Sequence, residues 1–425
     1  MRQLTVGPPI RGVKPGTTIA ATDSTGRGVN QIGCMPKTSR VLILTYCLYD
    51  HALGGQRSSL VLARRLGPGV CSVYTNNEEV ARLGHSLGMR INVMPLNLSL
   101  QGFWKQGLWN KIVLFGRVIQ LQWALIQALR KEKAKALQFD FDVTWLVSVL
   151  PRILGFRTIQ VVRNLPSRSG WRVWVRLLLA DRTVFLTEAA RGWTISHVPG
   201  LLKAMFTVRS RVIHNSIDID AVSALASQAT KAGFRAALKM LGESFAVIAV
   251  GSCIPRKGQL WLIREVVAKV RSQVPNVWFY FVGAVLDRSY YERCLEAAES
   301  VGCRDCIEFV GYTDNVARWY RAADVLAHAS EMEGIPRVVL EAQCTGLPVV
   351  VRHFVGAEEA LENGATGYLV RTADEFAEVL VRLARSPSLR ERLGEEGWRF
   401  VRQHFEPSVT AQRYLELYSE LLRYG

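Results

Sequence analysis

Apolar positions along this chain follow two rhythms. Short, dense apolar runs occur at residues 40–46, 70–75, 90–94, 141–144, 157–162, 181–187, 245–251, 276–283, 308–312 and 324–327. Runs this short, rich in Val, Ile and aromatic residues, read as strands, and the wholly apolar ones as strands buried on both faces. Longer stretches with helical spacing lie between them, at 57–66, 112–129, 219–242, from Leu260 onward and at 374–425. Strands alternating with helices predict open α/β sheets, whose ligands bind outside the carboxyl ends of the strands.

One stretch concentrates candidate chemistry. The run 324–327 leads into His328-Ala-Ser-Glu-Met-Glu333-Gly334-Ile335-Pro336-Arg337-Val-Val-Leu-Glu341-Ala342. Pro336 fits the first turn of a helix, where its missing N–H does no harm. Val338, Val339, Leu340 and Ala342 fit that helix's buried face, and Gly346-Leu347-Pro348 ends it. Glu333 then sits in a loop at a strand's C-terminal end, with Glu341 about two turns further on in the helix. Carboxylates placed there can accept hydrogen bonds from neighbouring hydroxyls, as on a sugar or a ribose. On spacing alone a simpler reading stands beside this one: Glu333 favours a helix N-terminus and Glu341 is a solvated helix residue.

Two further loops carry candidates. The first strand leads through His51 to Gly54-Gly55 and a helix from Arg57. Paired glycines at a helix start let backbone amides approach a phosphate, or simply make a tight turn. His51 is either a substrate contact or a solvated loop residue. After the strand at 245–251, Gly251-Ser252-Cys253-Ile254-Pro255-Arg256-Lys257-Gly258 enters another helix. Arg256 and Lys257 there combine a forked donor and a point charge with free N–H groups, which suits a diphosphate. A solvated basic turn is the alternative.

Length and composition set bounds. The 425 residues are too many for one compact core and fit two domains of roughly 200 residues each. A net charge of +17 suggests a phosphate-bearing ligand, an anionic membrane surface or nucleic acid. Eight cysteines do not suggest a disulfide framework in a chain this long. Cys303-Arg304-Asp305-Cys306 is a lone pair without a second at zinc spacing, so no metal is expected. Asn97-Leu98-Ser99 matches the glycosylation pattern without secretory context, and no apolar leader is visible, so a cytoplasmic protein is expected. Residues 1–38, rich in Gly, Pro, Thr and Ser, read as a flexible extension. A basic, aromatic segment includes Phe103, Trp104, Lys105, Trp109, Lys111, Phe115, Arg117, Trp123, Arg130, Lys131, Lys133 and Lys135. It fits an amphipathic helix on an anionic bilayer, and equally an ordinary helix covering the sheet. Residues 168–176, with Trp171 and Trp174, repeat the chemistry.

Glu-Gly-Ile-Pro at 333–336, Glu341-Ala342, Gly-Leu-Pro-Val-Val at 346–350 and Gly-Tyr-Leu-Val at 367–370 together resemble the retaining glycosyltransferases of family 4. That resemblance implies the GT-B fold, two Rossmann-like parallel-sheet domains facing across a cleft, with the last helix returning to the first domain. It covers about 39–425 and implies an acceptor domain at 39–215, a donor domain at 216–395 and a returning helix at 396–425. Val-Ile-His214-Asn-Ser216-Ile-Asp is the implied linker, with His214 and Ser216 where the family has Pro and Gly.

The same resemblance assigns roles. Glu333 holds the donor sugar and Glu341 the nucleotide ribose. Lys257 binds the leaving phosphates, and Arg256 stands in for a family arginine whose place after Gly251 is taken by Ser252. Gly54 and Gly55 face the donor diphosphate. Gly334, Ile335, Pro336 and Arg337 line the donor site, and Tyr312 marks the base pocket. Arg163 occupies the place of a family histidine near the reacting sugar, with His51 also on that side. Gly356 and Glu359 match the family's Gly-Gly-x-x-Glu. The implied activity is retaining transfer from a nucleotide sugar to a glycan or lipid-linked acceptor, without metal or cofactor. Nucleic acid is not an expected partner, because it leaves Glu333, Glu341 and Lys257 unexplained. A decayed GT-B scaffold, motivated by Ser252, Arg163 and Ser216, is the competing reading.

Overall fold

The computed structural model describes residues 40–45, 53–94, 108–140, 145–163, 178–226 and 228–423. The 1–38 extension, His51, Asn97-Leu98-Ser99, Phe103, Trp104, Lys105, the run 141–144, Trp171 and Trp174 lie outside the described residues.

The strands form two all-parallel sheets. The first contains β1 (Arg40–Thr45), β2 (Cys71–Thr75), β3 (Ile91–Val93), β4 (Ala134–Phe139), β5 (Arg157–Val162), β6 (Arg182–Phe185) and β7 (Ser210–Val212), in the order β3-β2-β1-β4-β5-β6-β7. The second contains β8 (Phe245–Val250), β9 (Val277–Val282), β10 (Ile307–Gly311), β11 (Val325–His328), β12 (Val349–Arg352) and β13 (Tyr368–Val370), in the order β10-β9-β8-β11-β12-β13. Both orders reverse direction beside their first strand, as in doubly wound folds.

Helices cover both faces of each sheet, which is why the strands read as unbroken apolar runs. In the first sheet, Leu60, Leu62, Val80 and Tyr418 pack against Val41 and Ile43 on one face. Leu114, Val118, Leu121, Leu125 and Leu129 of the helix Leu108–Lys131 pack against Leu42 and Leu44 on the other. Fully burying each such Leu contributes about 1.5–3 kcal/mol. The second sheet sits likewise between Leu262, Val266, Cys294 and Phe376 on one side and Tyr320, Leu340, Val401 and Phe405 on the other. Buried Asp324 pins the start of β11. It accepts from Lys231 Nζ at 2.5 Å, Arg235 Nη2 at 2.6 Å and the Ala246 amide at 2.8 Å.

Three features differ from expectation. β4 at Ala134–Phe139 lies in a stretch not read as a strand. Lys133 takes a left-handed φ of 52° right after the preceding helix ends at Lys131, so strand follows helix at once. The basic run 130–135 concealed that junction. Gly54 and Gly55 lie inside the first turn of the helix Leu53–Leu66, not ahead of it. The division at 395/396 moves to Glu406-Pro407. The helix Pro387–Phe405 runs through the expected boundary and buries Val401 and Phe405 in the second core. The helix Pro407–Arg423 then crosses back, placing Tyr414, Leu417 and Tyr418 in the first core. Tyr418 Oη donates to Gln138 in β4 at 2.6 Å.

Candidate functional site

β8 lies between β9 and β11, where the second sheet reverses its winding, so a crevice opens outside the carboxyl ends of β8 and β11. The two loops leaving that crevice are 251–258 and 329–336. Gly258, with φ 73°, presses on the Ala329 carbonyl: a Cβ would lie 2.1 Å from that oxygen. Only glycine fits there. The Glu331 amide donates to the Arg256 carbonyl at 3.1 Å, and Arg256 Nη1 donates to the Met332 carbonyl at 3.1 Å.

Glu333 sits on this seam. Its Oε1 accepts from Lys257 Nζ at 2.5 Å and Ser330 Oγ at 3.1 Å, with Arg256 Nη1 3.2 Å away. Burial raises the Glu333 carboxyl, but the neighbouring charges, Lys257 foremost, more than reverse this and hold it below its ordinary range. His328, at the end of β11, is buried beneath the pair and faces Phe354 edge-on at 6.1 Å. Burial pushes its imidazole down to about 4, and its Nε2 has no hydrogen-bond partner.

Pro336 is the N-cap of the helix Arg337–Cys344, one position earlier than expected, and Ile335 is buried behind it. Glu341 on that helix is held at both oxygens. Arg337 Nη2 donates to Oε1 at 3.0 Å and Tyr320 Oη to Oε2 at 3.1 Å. Burial, then Glu341, pushes the Tyr320 phenol well above its ordinary value, so it stays a donor. Arg337 also donates from Nη1 to Ser58 Oγ at 2.8 Å, which reaches the first domain.

On the first domain's side, Gly55 leaves room for Arg163, whose Cδ would be 2.7 Å from a Cβ. Arg163 Nη2 donates to Asp140 Oδ2 at 3.0 Å and Ser59 Oγ at 2.6 Å, and Nη1 to Asn215 Oδ1 at 3.1 Å. Its guanidinium is therefore compensated. Tyr312 follows β10 and is largely exposed, its phenol raised by a hydrogen bond to Asp314. The Ser252 carbonyl accepts from Gln259 Nε2 at 3.0 Å. Gly251 (φ 151°) leaves space for the Lys257 stem, whose Cδ would be 3.2 Å from a Cβ. Among the described residues, no three His, Cys, Asp or Glu are grouped so as to hold a metal ion.

The structure thus gathers Glu333, Arg256, Lys257, Gly251 and Gly334 at one crevice, with Glu341 and Arg337 along its wall. Several residues escaped sequence reading. Asp140 and Ser59 complete the Arg163 cluster, and Tyr320 orients Glu341. Glu359, which the resemblance matched without giving it a role, clasps the first domain. It accepts from the Glu188 and Ala189 amides at 2.9 and 3.0 Å and lies 3.1 Å from His214 Nε2. An available hint was His214 itself, which brings an imidazole to a linker position where proline would carry none.

Residues 244–386 match the family described as Glycosyl transferases group 1. The lipopolysaccharide core biosynthesis glycosyltransferase LpsD of Rhizobium meliloti (strain 1021) is 27% identical over 186 residues, 43% of this chain and 52% of that protein. The D-inositol 3-phosphate glycosyltransferase of Kribbella flavida is 32% identical over 198 residues, 44% of this chain and 46% of that protein. The chain spans about half the length of these curated relatives. The crystal structure of Anabaena Alr3699/HepE in complex with UDP-glucose superposes with a TM-score of 0.74 at 19% identity, covering 89% of this chain and 100% of that one. The strand orders and this likeness establish the GT-B fold, and the second domain of the chain is similar to the glycosyl transferases group 1.

Proposed function

We propose that the protein is a metal-independent, retaining glycosyltransferase of the family 4 type, moving a sugar from a nucleotide sugar to a glycan or lipid-linked acceptor. The observation that carries this reading is Glu333 held by Arg256 and Lys257 at the second sheet's switch crevice, with Glu341 oriented along the adjoining helix. UDP-glucose in HepE and lipopolysaccharide core synthesis in the name of LpsD support the donor and acceptor classes.

In this reading the bond between the anomeric carbon and the diphosphate oxygen breaks, leaving an oxocarbenium-like sugar. Arg256, Lys257 and the amides at Gly54 and Gly55 stabilise the negative charge that builds on the leaving phosphate. That phosphate takes the acceptor hydroxyl's proton while the acceptor oxygen attacks from the same face, so configuration is retained. Glu333 orients the sugar hydroxyls and Glu341 the ribose diol, each charged hydrogen bond contributing about 1.5–3 kcal/mol.

The first domain supports a peripheral membrane site, on the cytoplasmic face. Residues 91–180 hold 13 Lys and Arg against 3 Asp and Glu. The helix Leu108–Lys131 exposes Phe115, Ile119 and Trp123 on one stripe, and Ile153, the last residue of the neighbouring helix Trp145–Ile153, and Leu154 just after it are exposed. Aromatic and basic side chains together suit an anionic bilayer surface. No helix among the described residues is long and apolar enough to cross a membrane.

Thermal shift against UDP, GDP, ADP and CMP tests the reading, with Glu341→Ala as control. Saturation at about a hundred times Kd adds about 2.7 kcal/mol. One nucleotide stabilising the wild type alone is expected. The compensated state of Arg163 favours one competing reading, a nucleotide-binding scaffold, in which a nucleotide binds but no sugar reaches any acceptor.

A further inference from the structure

Lys257 and Glu333, assigned above to opposite ends of the donor, are each other's partner in the structure at 2.5 Å. Both side chains are largely buried, at 17% and 13% exposure. Parting such a pair leaves the Lys257 ammonium desolvated without a counter-charge, and Glu333 with Arg256 Nη1 at 3.2 Å as its remaining cation, unless another ion takes the vacated place. The loops do not offer an easy route to parting. Gly258 against the Ala329 carbonyl, the Glu331 amide on the Arg256 carbonyl and Arg256 on the Met332 carbonyl zip them together. Movement is left to the Lys257 stem, which lies across Gly251, where there is no Cβ to block it. When Lys257 swings away, Glu333 Oε1 still keeps Ser330 Oγ at 3.1 Å.

We propose that Lys257 and Glu333 form an exchange pair that sets donor specificity: a diphosphate draws Lys257 off Glu333, and only then does Glu333 accept from sugar hydroxyls. A neutral sugar offers Lys257 no anion and leaves the pair closed. A diphosphate alone opens the pair but gives Glu333 no diol. A sugar carried on a diphosphate satisfies both groups in one event. This inference rests on the donor-site reading above.

The test is calorimetric titration of the full chain with UDP, GDP and ADP. The tightest binder is then carried through Glu333→Gln, Lys257→Met and the double variant. Glu333→Gln is expected to bind that nucleoside diphosphate about tenfold more tightly than wild type, since Lys257 no longer has to leave a carboxylate. In the Lys257→Met background the same change is expected to alter affinity by less than about twofold. Unchanged or weaker binding by Glu333→Gln overturns the proposal, because Lys257 would then serve both partners at once. Equal tightening in both backgrounds also overturns it, because general charge repulsion would then be the cause. Failure of all three nucleotides to bind wild type removes the donor-site reading and the exchange pair together. Binding without the expected pattern removes the exchange pair alone. A crystal of wild type with the bound nucleotide serves if a variant does not fold. Lys257 Nζ is expected on a phosphate oxygen and beyond about 4 Å from Glu333, and contact with both at about 3 Å contradicts the exchange.

Discussion

The Cα of Gly334 faces the backbone carbonyl of Arg163 so closely that a Cβ would lie 2.1 Å from the oxygen. The 329–336 loop of the second domain therefore meets the end of β5 backbone to backbone, with the Leu186 side chain beside it. Gly334→Ala is expected to hold the domains apart. Overpacking of this kind costs about 1–3 kcal/mol, so kcat/KM falls about tenfold or more. Small-angle scattering should show a larger radius while melting of the second domain is little changed. A compact, fully active variant would contradict the account.

A second clasp involves Glu359 and His214. Burial opposes the charge on Glu359, but hydrogen bonds from His214 and the Ala189 and Glu188 amides more than reverse it and hold the carboxyl below its ordinary range. A depressed carboxyl contributes stability that is present above its unfolded pKa of about 4.3 and lost as pH falls through the folded value. Wild type should therefore melt above Glu359→Gln at neutral pH, and the gap should close in acid. The same gap at both pH values would remove the charge from the explanation.

Tyr320 and Arg337 hold the two oxygens of Glu341. Tyr320→Phe removes one donor from a largely buried carboxylate, which costs about 1–3 kcal/mol. Nucleotide affinity is expected to fall in Tyr320→Phe, less than in Glu341→Ala, and a calorimetric titration reads both. Unaltered affinity in both variants would detach Glu341 from the nucleotide.

Much of this arrangement was legible in the chain. β8 and β11 announce themselves as unbroken apolar runs because both faces are covered, and the loops behind them carry Arg256, Lys257 and Glu333 at readable positions. Partners brought from elsewhere were not legible. Asp140 meets Arg163 only because β4 and β5 are neighbours, and β4 itself went unread behind the basic run before it. Glu359 meets the amides of Glu188 and Ala189 only once the domains face each other. Tyr320 looks like any core aromatic until Glu341 is seen against its hydroxyl.

The exposed stripe of Phe115, Ile119 and Trp123 predicts binding to vesicles rich in phosphatidylglycerol. Changing all three to Ser should abolish co-flotation with little loss of stability, since exposed substitutions usually stay within about 0.5 kcal/mol. Trp171→Ala with Trp174→Ala should by itself weaken flotation. Binding that survives both sets of changes would remove the membrane from the proposal.

The most direct measurement incubates the protein with the nucleotide sugar whose nucleotide binds, together with glycan and lipid-linked acceptors, and follows nucleoside diphosphate release and the anomeric configuration of the product. The account predicts release by wild type, its loss in Lys257→Met, and a product with the donor's configuration. Tight nucleotide binding with no sugar transferred, or a product of inverted configuration, would contradict it.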